Sequence, residues 1–480
     1  MTDLDVVVIG AGPNGLAAAV TLARAGLSVA VYERADTVGG GAGSAETTLP
    51  GFRSDLGSAV HPMAFASPFF RRFRLAEKVP FVTPELSYAH PLDGGRAALA
   101  WRDLDRTVEG LGADGPAWRR LLGPLVERAN DVVRFTTGPV LRIPPQPLVA
   151  ARFGLAALDQ GTPLWNRRWR TEAAPALLTG VFAHTIRRLP SPGPAAAGLA
   201  LAVAGHAGGW PIPVGGTQAI ADALAADVRA HGGRIETGHP VRSLCDVPTA
   251  RAVLFDTSVP ALLSIAGRRL APLLRTLLVG FRFGNGVGKV DFALDGPVPW
   301  ANEDARAAGT LHLGGTRAQI AASENEVAAG RFPEHPYVLV SQPTVLDPTR
   351  APAGKHVLWT YLHAPRGSTV DPTEAVTAQI ERFAPGFRDL VLASSARSAA
   401  EIERWNPNFG GGDIATGAVS LPQLLARPVP SADPWHLADG VYLCSAAAAP
   451  GPGVHGMGGY LAARSVLRRE FGVTAPPDLA

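Results

Sequence analysis

The chain has 480 residues, 46% of them hydrophobic, with 44 Lys and Arg against 41 Asp and Glu. This composition excludes a disordered chain and is sufficient for two or more domains with packed cores. Because the net charge is only +3 and no Lys/Arg block occurs, we expect no nucleic-acid partner. Two widely spaced cysteines and no metal-ligand spacing predict a cytoplasmic protein without a metal site.

The beginning of the chain has the pattern of a βαβ unit. Residues 6–9 form an apolar run typical of a buried parallel strand, and residues 16–26 have helical spacing. The glycines between them have GxGxxG spacing, which allows a tight turn, close approach of a diphosphate and close helix packing. Glu33 ends the second strand, where it can accept hydrogen bonds from ribose hydroxyls. The predicted dinucleotide contacts of this unit are Gly10, Gly12, Pro13, Asn14, Gly15, Glu33 and Arg34.

Motifs along nearly the whole chain resemble the phytoene-dehydrogenase-like FAD oxidoreductases, a branch of the carotenoid desaturase and amine oxidase superfamily. The motifs are "VIGAGPNGLAAA", "ERADTVGG", "PGFRSDLGSAVHPM", "GWPIPVGGTQAIADAL", "GKVDFALDGPVPW" and "YLCSAAAAPGPGVHGMGGY". A true desaturase usually has Arg after the glycine doublet, where this chain has Gly41, so the resemblance does not imply a carotenoid substrate. The hairpin usual after Leu244 is also shortened here, which we expect to alter a loop without loss of the cofactor.

The resemblance implies a fold that combines α/β and α+β parts. A Rossmann-like FAD-binding domain of the glutathione-reductase type is interleaved with a substrate domain of mostly antiparallel sheet plus helices. We expect the discontinuous FAD-binding domain to comprise residues 1–90, 215–270 and 425–480. The substrate-binding domain then comprises residues 91–214 and 271–424.

The resemblance also implies that the end of the chain completes a flavin site. A helix N-terminus aimed at the flavin's pyrimidine edge stabilises the negative charge that develops on reduction. We expect the backbone N–H groups of His455 and Met457 to point at that edge. Gly453, Gly456 and Gly458 would let the backbone lie flat against the ring. The further FAD contacts expected are Gly39, Gly40, Gly41, Gly57, Ser58, Val241, Ser445, Gly453, Val454, His455, Gly456 and Met457.

Three residues are candidates for catalysis. Lys289 opens an apolar strand, and several superfamily members have a lysine at the matching strand that holds a water near flavin N5. The alternative is a solvated lysine at a strand end. His61 would approach the flavin after the Gly-Ser turn, and His455 lies at the closing helix, although a lone histidine is more often a structural hydrogen-bonding residue.

The sequence therefore predicts an FAD-dependent oxidoreductase that transfers hydride between an apolar small molecule and flavin N5. Electrons would pass to oxygen or a quinone, because we expect no second GxGxxG unit for a nicotinamide. One alternative is a flavin amine oxidase, although no aromatic residue precedes the closing helix to supply the pair of rings usual in that class. The other alternative is a flavoprotein that does not catalyse a reaction and serves as a binding partner.

Residues 67–78 place Phe69, Phe70 and Phe73 on one face of an expected helix. That face would either contact the inner membrane peripherally or pack over the substrate channel. The oligomeric state is left open by the sequence.

Overall fold

The computed structural model describes residues 4–480. The strands in this part of the chain are β1 Leu4–Ile9, β2 Val29–Tyr32, β3 Ser44–Glu46, β4 Arg53–Asp55, β5 Phe81–Val82, β6 Leu86–Leu92, β7 Arg96–Trp101, β8 Ile212–Pro213, β9 Arg234–Glu236, β10 Ala250–Phe255, β11 Gly286–Leu294, β12 Thr310–Leu313, β13 Val338–Ser341, β14 His356–Ala364, β15 Val391–Arg397, β16 His436–Ala438 and β17 Val441–Leu443.

The α-helices in the same residues lie between and after these strands. They are α1 Pro13–Ala23, α2 Pro68–Arg72, α3 Leu75–Lys78, α4 Leu104–Gly110, α5 Gly115–Val126, α6 Ala129–Thr136, α7 Pro147–Gln160, α8 Ala173–Ala183, α9 Pro192–Ala207, α10 Gln218–Ala230, α11 Val259–Ala266, α12 Pro272–Val279, α13 Arg317–Ala328, α14 Pro343–Leu346, α15 Thr373–Phe383, α16 Ala399–Trp405, α17 Leu421–Leu425 and α18 Met457–Phe471.

A six-stranded sheet forms the Rossmann-like part, in the order β16-β17-β10-β1-β2-β9. Its strands run parallel except for β16, which pairs antiparallel with β17. Central β1 is buried on both faces, as its unbroken apolar run predicts. Helix α1 packs against both α10 and α18, so segments from the start, middle and end of the chain share one core.

A seven-stranded sheet forms the second part, in the order β15-β11-β14-β13-β12-β6-β7. Its pairings are antiparallel except that between β12 and β6. The expected combination of a Rossmann-like sheet and a mostly antiparallel sheet is thus confirmed. Residue 90, the expected domain boundary, lies inside β6 of the seven-stranded sheet.

The segment 67–78 is not one helix, because Arg74 adopts a left-handed conformation that separates α2 from α3. Its three phenylalanines are fully buried in the core shared by the six-stranded sheet. Phe69 stacks on Phe73 and tilts against Tyr460 of α18, with 5.8 Å between ring centroids in both pairs. The expected membrane contact of this face is therefore wrong.

Within residues 4–480, no helix combines the length and the apolar character needed to cross a bilayer. The two cysteines are both free: Cys444 is buried directly after β17, whereas Cys245 is exposed.

Candidate active site

A cavity of about 1050 Å³ lies between the two sheets and contains most of the predicted site residues. One end is formed by the turn between β1 and α1, and the other by α7, α9, α17 and one face of the seven-stranded sheet. The cavity-lining residues among those predicted from sequence are Gly10, Gly12, Pro13, Asn14, Glu33, Arg34, Gly40, Gly41, Gly57, Ser58, His61, Val241, Lys289, Ser445, Gly453, Val454 and His455.

The turn after β1 leaves no room for side chains. Gly10 has φ +100°, and a Cβ there would lie 2.6 Å from the carbonyl oxygen of Asp256. A Cβ on Gly12 would lie 2.5 Å from the Asp256 carboxylate, and one on Gly15 would collide with the Gly10 carbonyl. Bare backbone at a helix N-terminus therefore faces the cavity, which is the geometry that accommodates a diphosphate. Gly15 itself does not line the cavity. Its N–H donates to the Asp256 carboxylate at 2.8 Å.

Glu33 is held immediately in front of this turn. Its Oε2 accepts from the Ala11 N–H at 2.7 Å and its Oε1 from the Ala35 N–H at 2.8 Å. The carboxylate is thus oriented by backbone donors, and its remaining lone pairs can accept ribose hydroxyls. Beside it, Arg34 donates to the Trp405 carbonyl at 3.0 Å, and Val241 lines the same end of the cavity.

The glycine doublet and the Gly-Ser turn pack directly on the first turn. A Cβ on Gly40 would lie 3.3 Å from the Gly12 Cα, and the Ser58 N–H donates to the Gly41 carbonyl at 2.9 Å. Gly39 does not line the cavity, because it lies behind the doublet with its N–H bonded to the Ala11 carbonyl. A Cβ on Gly41 would lie 3.1 Å from the ring of Phe409, so the arginine usual in desaturases would require that ring to move.

The closing loop reaches the cavity with only its first half. Gly453, Val454 and His455 line it, whereas Gly456 and Met457 do not. The Met457 N–H donates to the His455 Nδ1 at 3.0 Å, so the expectation that it points at a flavin edge is wrong.

The later glycines of that loop serve helix packing. A Cβ on Gly456 would lie 2.5 Å from the Phe69 ring, and one on Gly458 would lie 2.7 Å from the Cys444 carbonyl. These two positions need glycine because α18 lies against the protein core, not because they lie flat on a ring.

The three catalytic candidates are all buried. Lys289 forms an ion pair with Asp291 and lies 5.7 Å from the centroid of the Trp359 ring. Burial lowers the pKa of Lys289, and the Asp291 carboxylate opposes that change. The structure therefore excludes the alternative of a solvated lysine, and it places the ammonium on the cavity wall.

The two histidines differ in how much of the imidazole is free. Burial lowers the pKa of both His61 and His455 to about 4, so both rings are neutral at neutral pH. The His61 Nε2 lies 2.8 Å from the Thr217 hydroxyl, and its buried Nδ1 has no hydrogen-bond partner in the described chain. The His455 Nδ1 is used inside the closing loop, so that side chain has a structural contact where catalysis was expected.

One face of the seven-stranded sheet supplies the rest of the wall. Strand alternation directs Val290 and Leu358 into an apolar core and turns their neighbours Lys289, Trp359 and Tyr361 towards the cavity. The Trp359 and Tyr361 rings are nearly perpendicular, with centroids 5.3 Å apart.

The sequence of this chain matches the family described as flavin containing amine oxidoreductase over residues 14–467. The chain belongs to this family. Two features of the structure fit its FAD cofactor. The turn at the N-terminus of α1 carries no side chains that would block a diphosphate, and the carboxylate of Glu33, the residue after β2, is oriented by backbone donors. Glu33 would hold the adenosine ribose, the opening turn would hold the diphosphate, and the closing loop would lie at the flavin.

Curated relatives of this flavoprotein cover nearly its whole length. It is 28% identical to "Pyridine nucleotide-disulfide oxidoreductase domain-containing protein 2" of Rattus norvegicus, over 97% of this chain and 94% of the relative. An uncharacterised protein of Mycobacterium tuberculosis is 28% identical, with 97% of each chain covered. A phytoene dehydrogenase of Streptomyces griseus is more distant, at 27% identity over 82% of this chain and 78% of the relative.

Solved structures of amine oxidases share the fold. Cyclohexylamine oxidase from Brevibacterium oxydans superposes with a TM-score of 0.59 at 18% identity, and 98% of each chain is covered. Wild-type putrescine oxidase bound to putrescine gives a TM-score of 0.59 at 17% identity, over 96% of this flavoprotein and 98% of the oxidase. At these identities the similarity establishes the architecture alone.

Sequence reasoning missed Asp256, which follows β10 and lines the cavity beside the diphosphate turn. A signal for it was present: β10 pairs with β1, and ligands of parallel sheets bind at the carboxyl ends of such strands. Gly451, Gly453 and Gly456 also have GxGxxG spacing, contrary to the expectation of a single such motif. Since no strand follows α18 in the described chain, this segment completes the first sheet and forms no second βαβ unit.

Proposed function

We propose that this flavoprotein transfers hydride between a neutral, mostly apolar small molecule and FAD, in the manner of a phytoene-dehydrogenase-like enzyme, and that oxygen or a quinone exchanges electrons with the flavin. The isoalloxazine supplies N5, the atom that accepts or donates the hydride. The chain's own residues bind the substrate, orient it and exclude water.

The observation that carries this proposal is the character of the cavity beyond the cofactor turn. Its wall there consists of apolar side chains from α7, α9 and α17 together with Val287 and Leu339 of the sheet. Among the lining residues of the seven-stranded sheet, Lys289 alone is charged, and Asp291 neutralises it. Burying a charged substrate against such a wall would cost several kcal/mol without a compensating partner. A neutral substrate avoids that cost.

The wall also holds polar atoms that no protein group uses. The His61 Nδ1, the Ser341 Oγ and the Trp359 Nε1 are buried without hydrogen-bond partners in residues 4–480. Ser341 and Trp359 are directly opposed across β13 and β14, and both line the cavity. Because buried polar atoms normally find partners, these atoms can bind uncharged polar groups on an otherwise apolar substrate. The Lys289 ammonium lies on the same wall, where it can hold a water or favour reaction with oxygen.

Amine oxidation is a second candidate, favoured by a specific pair of rings. Flavin amine oxidases usually place two aromatic rings beside the flavin, and Trp359 and Tyr361 provide perpendicular rings on the cavity wall. These rings come from β14, not from the segment before α18. Such an amine would have to react in its neutral form, because the lining residues of the seven-stranded sheet include no carboxylate for an ammonium.

Anaerobic titration of the purified holoprotein separates the candidates. We expect the flavin absorbance to bleach with an apolar enone, polyene or secondary alcohol and not with primary amines. Bleaching with amines alone would establish the amine oxidase, and no bleaching with any donor would support a flavoprotein that only binds a partner. Reoxidation of the photoreduced flavin by air and by a soluble quinone then identifies the acceptor.

A cavity-filling variant ties the reaction to this space. Leu339→Trp should raise the KM for the active donor at least about tenfold while the flavin content and its absorbance spectrum stay unchanged. The matched control is Val370→Trp, which enlarges an exposed residue outside the cavity. Equal KM values for the two variants would place the substrate elsewhere.

A further inference from the structure

An exposed apolar surface surrounds the mouth of the cavity. It consists of the loop before α7, the outer face of α7, the neighbouring α17 and α12. We call it the collar, and its members are Val140, Leu141, Ile143, Leu148, Leu155, Leu158, Leu273, Leu277, Val279, Leu421 and Leu425. Most of the large hydrophobic side chains that are exposed in residues 4–480 belong to this one surface.

The most exposed members project from a proline-rich turn and the start of α7. Ile143 is 89% exposed and Leu148 is 87% exposed, with Pro144, Pro145 and Pro147 between or beside them. Scattered apolar residues are common on protein surfaces, but a contiguous group of this size marks an interaction site.

The collar is continuous with the cavity. Val140, Leu158, Leu421 and Leu425 are exposed to solvent and also line the cavity, so they form its rim. The amide of Gln423 in α17 exchanges hydrogen bonds with the backbone of Arg282, at 3.1 Å and 2.9 Å, which fixes α17 beside the end of α12. A molecule that leaves an apolar phase at the collar thus enters the cavity directly.

The segments that carry the collar are mainly basic, and Asp159 near the end of α7 is held in ion pairs with Arg167 and Arg168. Residues 137–158, 268–282 and 414–430 contain seven arginines and no Asp or Glu, although the whole chain has 44 basic and 41 acidic residues. Six of these arginines are exposed, and the seventh is buried. The exposed ones are Arg142, Arg152, Arg268, Arg269, Arg275 and Arg282. Guanidinium groups near an anionic bilayer surface favour binding to it.

We infer that the collar docks on a bilayer that contains anionic lipid, and that the substrate enters the cavity from the acyl-chain phase. The docking step stands on the collar alone, and the entry step rests on the proposed apolar substrate. A second copy of the chain fits this surface poorly, because a twofold contact would oppose arginines to arginines with no carboxylate between them. This surface is also distinct from the segment 67–78, whose aromatic face is buried.

Vesicle flotation of the full-length holoprotein tests the docking step. The probes are vesicles of phosphatidylcholine alone and of phosphatidylcholine with roughly one third phosphatidylglycerol. We expect binding to the anionic vesicles, weakened by high salt, and little binding to the neutral ones. The double variant Ile143→Asp/Leu148→Asp should lower the bound fraction at least about tenfold, since it removes apolar area and adds repelling charge.

The control is Val370→Asp/Leu392→Asp, which changes two residues 47% and 46% exposed outside the collar. Absence of wild-type binding, or equal binding of the two double variants, would overturn the docking. A collar variant that converts a dimer to a monomer in light scattering would assign the surface to a second copy instead.

The entry step has its own readout. With a water-soluble donor, the flavin of the collar variant should be reduced at the wild-type rate. With a donor supplied in anionic vesicles, the flavin of the variant should be reduced more slowly than that of the wild type. If no donor reduces even the wild type, the proposed function fails while the flotation result stands. If both donors react equally with both proteins, entry from the bilayer is refuted.

Discussion

The carboxylate of Asp256 accepts a hydrogen bond from the Gly15 N–H at 2.8 Å, although 241 residues separate the two. This contact joins the carboxyl end of β10 to the first turn of α1, where the cofactor diphosphate is held. Burial raises the pKa of Asp256 to about 7, and the negative charge of Glu33 adds to the rise, whereas the N–H groups of Gly15 and Gly12 oppose it. A proton is thus exchanged near neutral pH at the diphosphate turn.

FAD affinity should depend on that proton. A diphosphate placed beside Asp256 disfavours its carboxylate further, so FAD binding above about pH 7 takes up a proton. We expect the Kd of the wild type for FAD to rise by up to about tenfold per pH unit in this range. The Asp256→Asn variant should keep a flat profile. Quenching of FAD fluorescence by apoprotein measures the Kd of each protein as a function of pH. The same pH dependence of Kd in the wild type and in Asp256→Asn would contradict the linkage.

The same carboxyl should make the apoprotein less stable as the pH rises. Its unfolded pKa is about 3.9, so between that value and about 7 the folded state binds more protons than the unfolded state. Stability from this group is therefore complete at low pH and is lost towards pH 7. We expect Asp256→Asn to raise the melting temperature of the apoprotein more at about pH 8 than at about pH 5. A melting difference that is independent of pH would exclude this role.

The contact between α1 and α18 permits no side chain on Gly459. A Cβ there would lie 2.9 Å from the Ala18 nitrogen and would overlap the Asn14 carbonyl. Gly459→Ala should therefore destabilise the protein by about 2 kcal/mol or more and lower its flavin content. Urea unfolding and the ratio of flavin to protein absorbance measure these effects. Gly110→Ala, in a helix with open space around the position, should be neutral or slightly stabilising.

The buried pair of Lys289 and Asp291 allows structure and reactivity to be separated. Lys289→Met leaves the Asp291 carboxylate buried without its partner, which should cost about 3–5 kcal/mol. Adding Asp291→Leu should recover most of that stability while reoxidation by oxygen stays slow, if the ammonium acts on the flavin. If the double variant is reoxidised by oxygen at the wild-type rate, the role of Lys289 is structural only. Lys355→Met breaks an exposed pair and should cost less than about 1 kcal/mol.

The sequence predicted best what is local. The strand, glycine turn, helix and acid of the first unit lie within a few turns of one another, and the structure has them in the expected order. The alternating pattern of "KVDFAL" likewise predicted β11, but it did not say which face of the sheet would meet the cavity. That depends on α8 and α9, which cover the sheet from another part of the chain.

The errors arose where distant segments meet. The flavin-ring role expected for Gly456 and Gly458 is wrong, because the first is limited by Phe69, which is distant in sequence, and the second by the Cys444 carbonyl. The membrane contact expected for the aromatic face of 67–78 is wrong because the partner of that face, α18, is remote in sequence. The hydrogen-bonded Ser67 and His455, which lie beside this contact, are 388 residues apart. Periodicity shows that a face is apolar but not what covers it.

The close crossing of α1 and α18 has a consequence for biosynthesis. Helix α1 leaves the ribosome long before α18 is translated. The surface of α1 that packs against α18 therefore stays exposed while the intervening residues are synthesised. We expect chains truncated before α18 to lose FAD and to be degraded by quality-control proteases. We therefore expect stable FAD binding only after α18 has been translated.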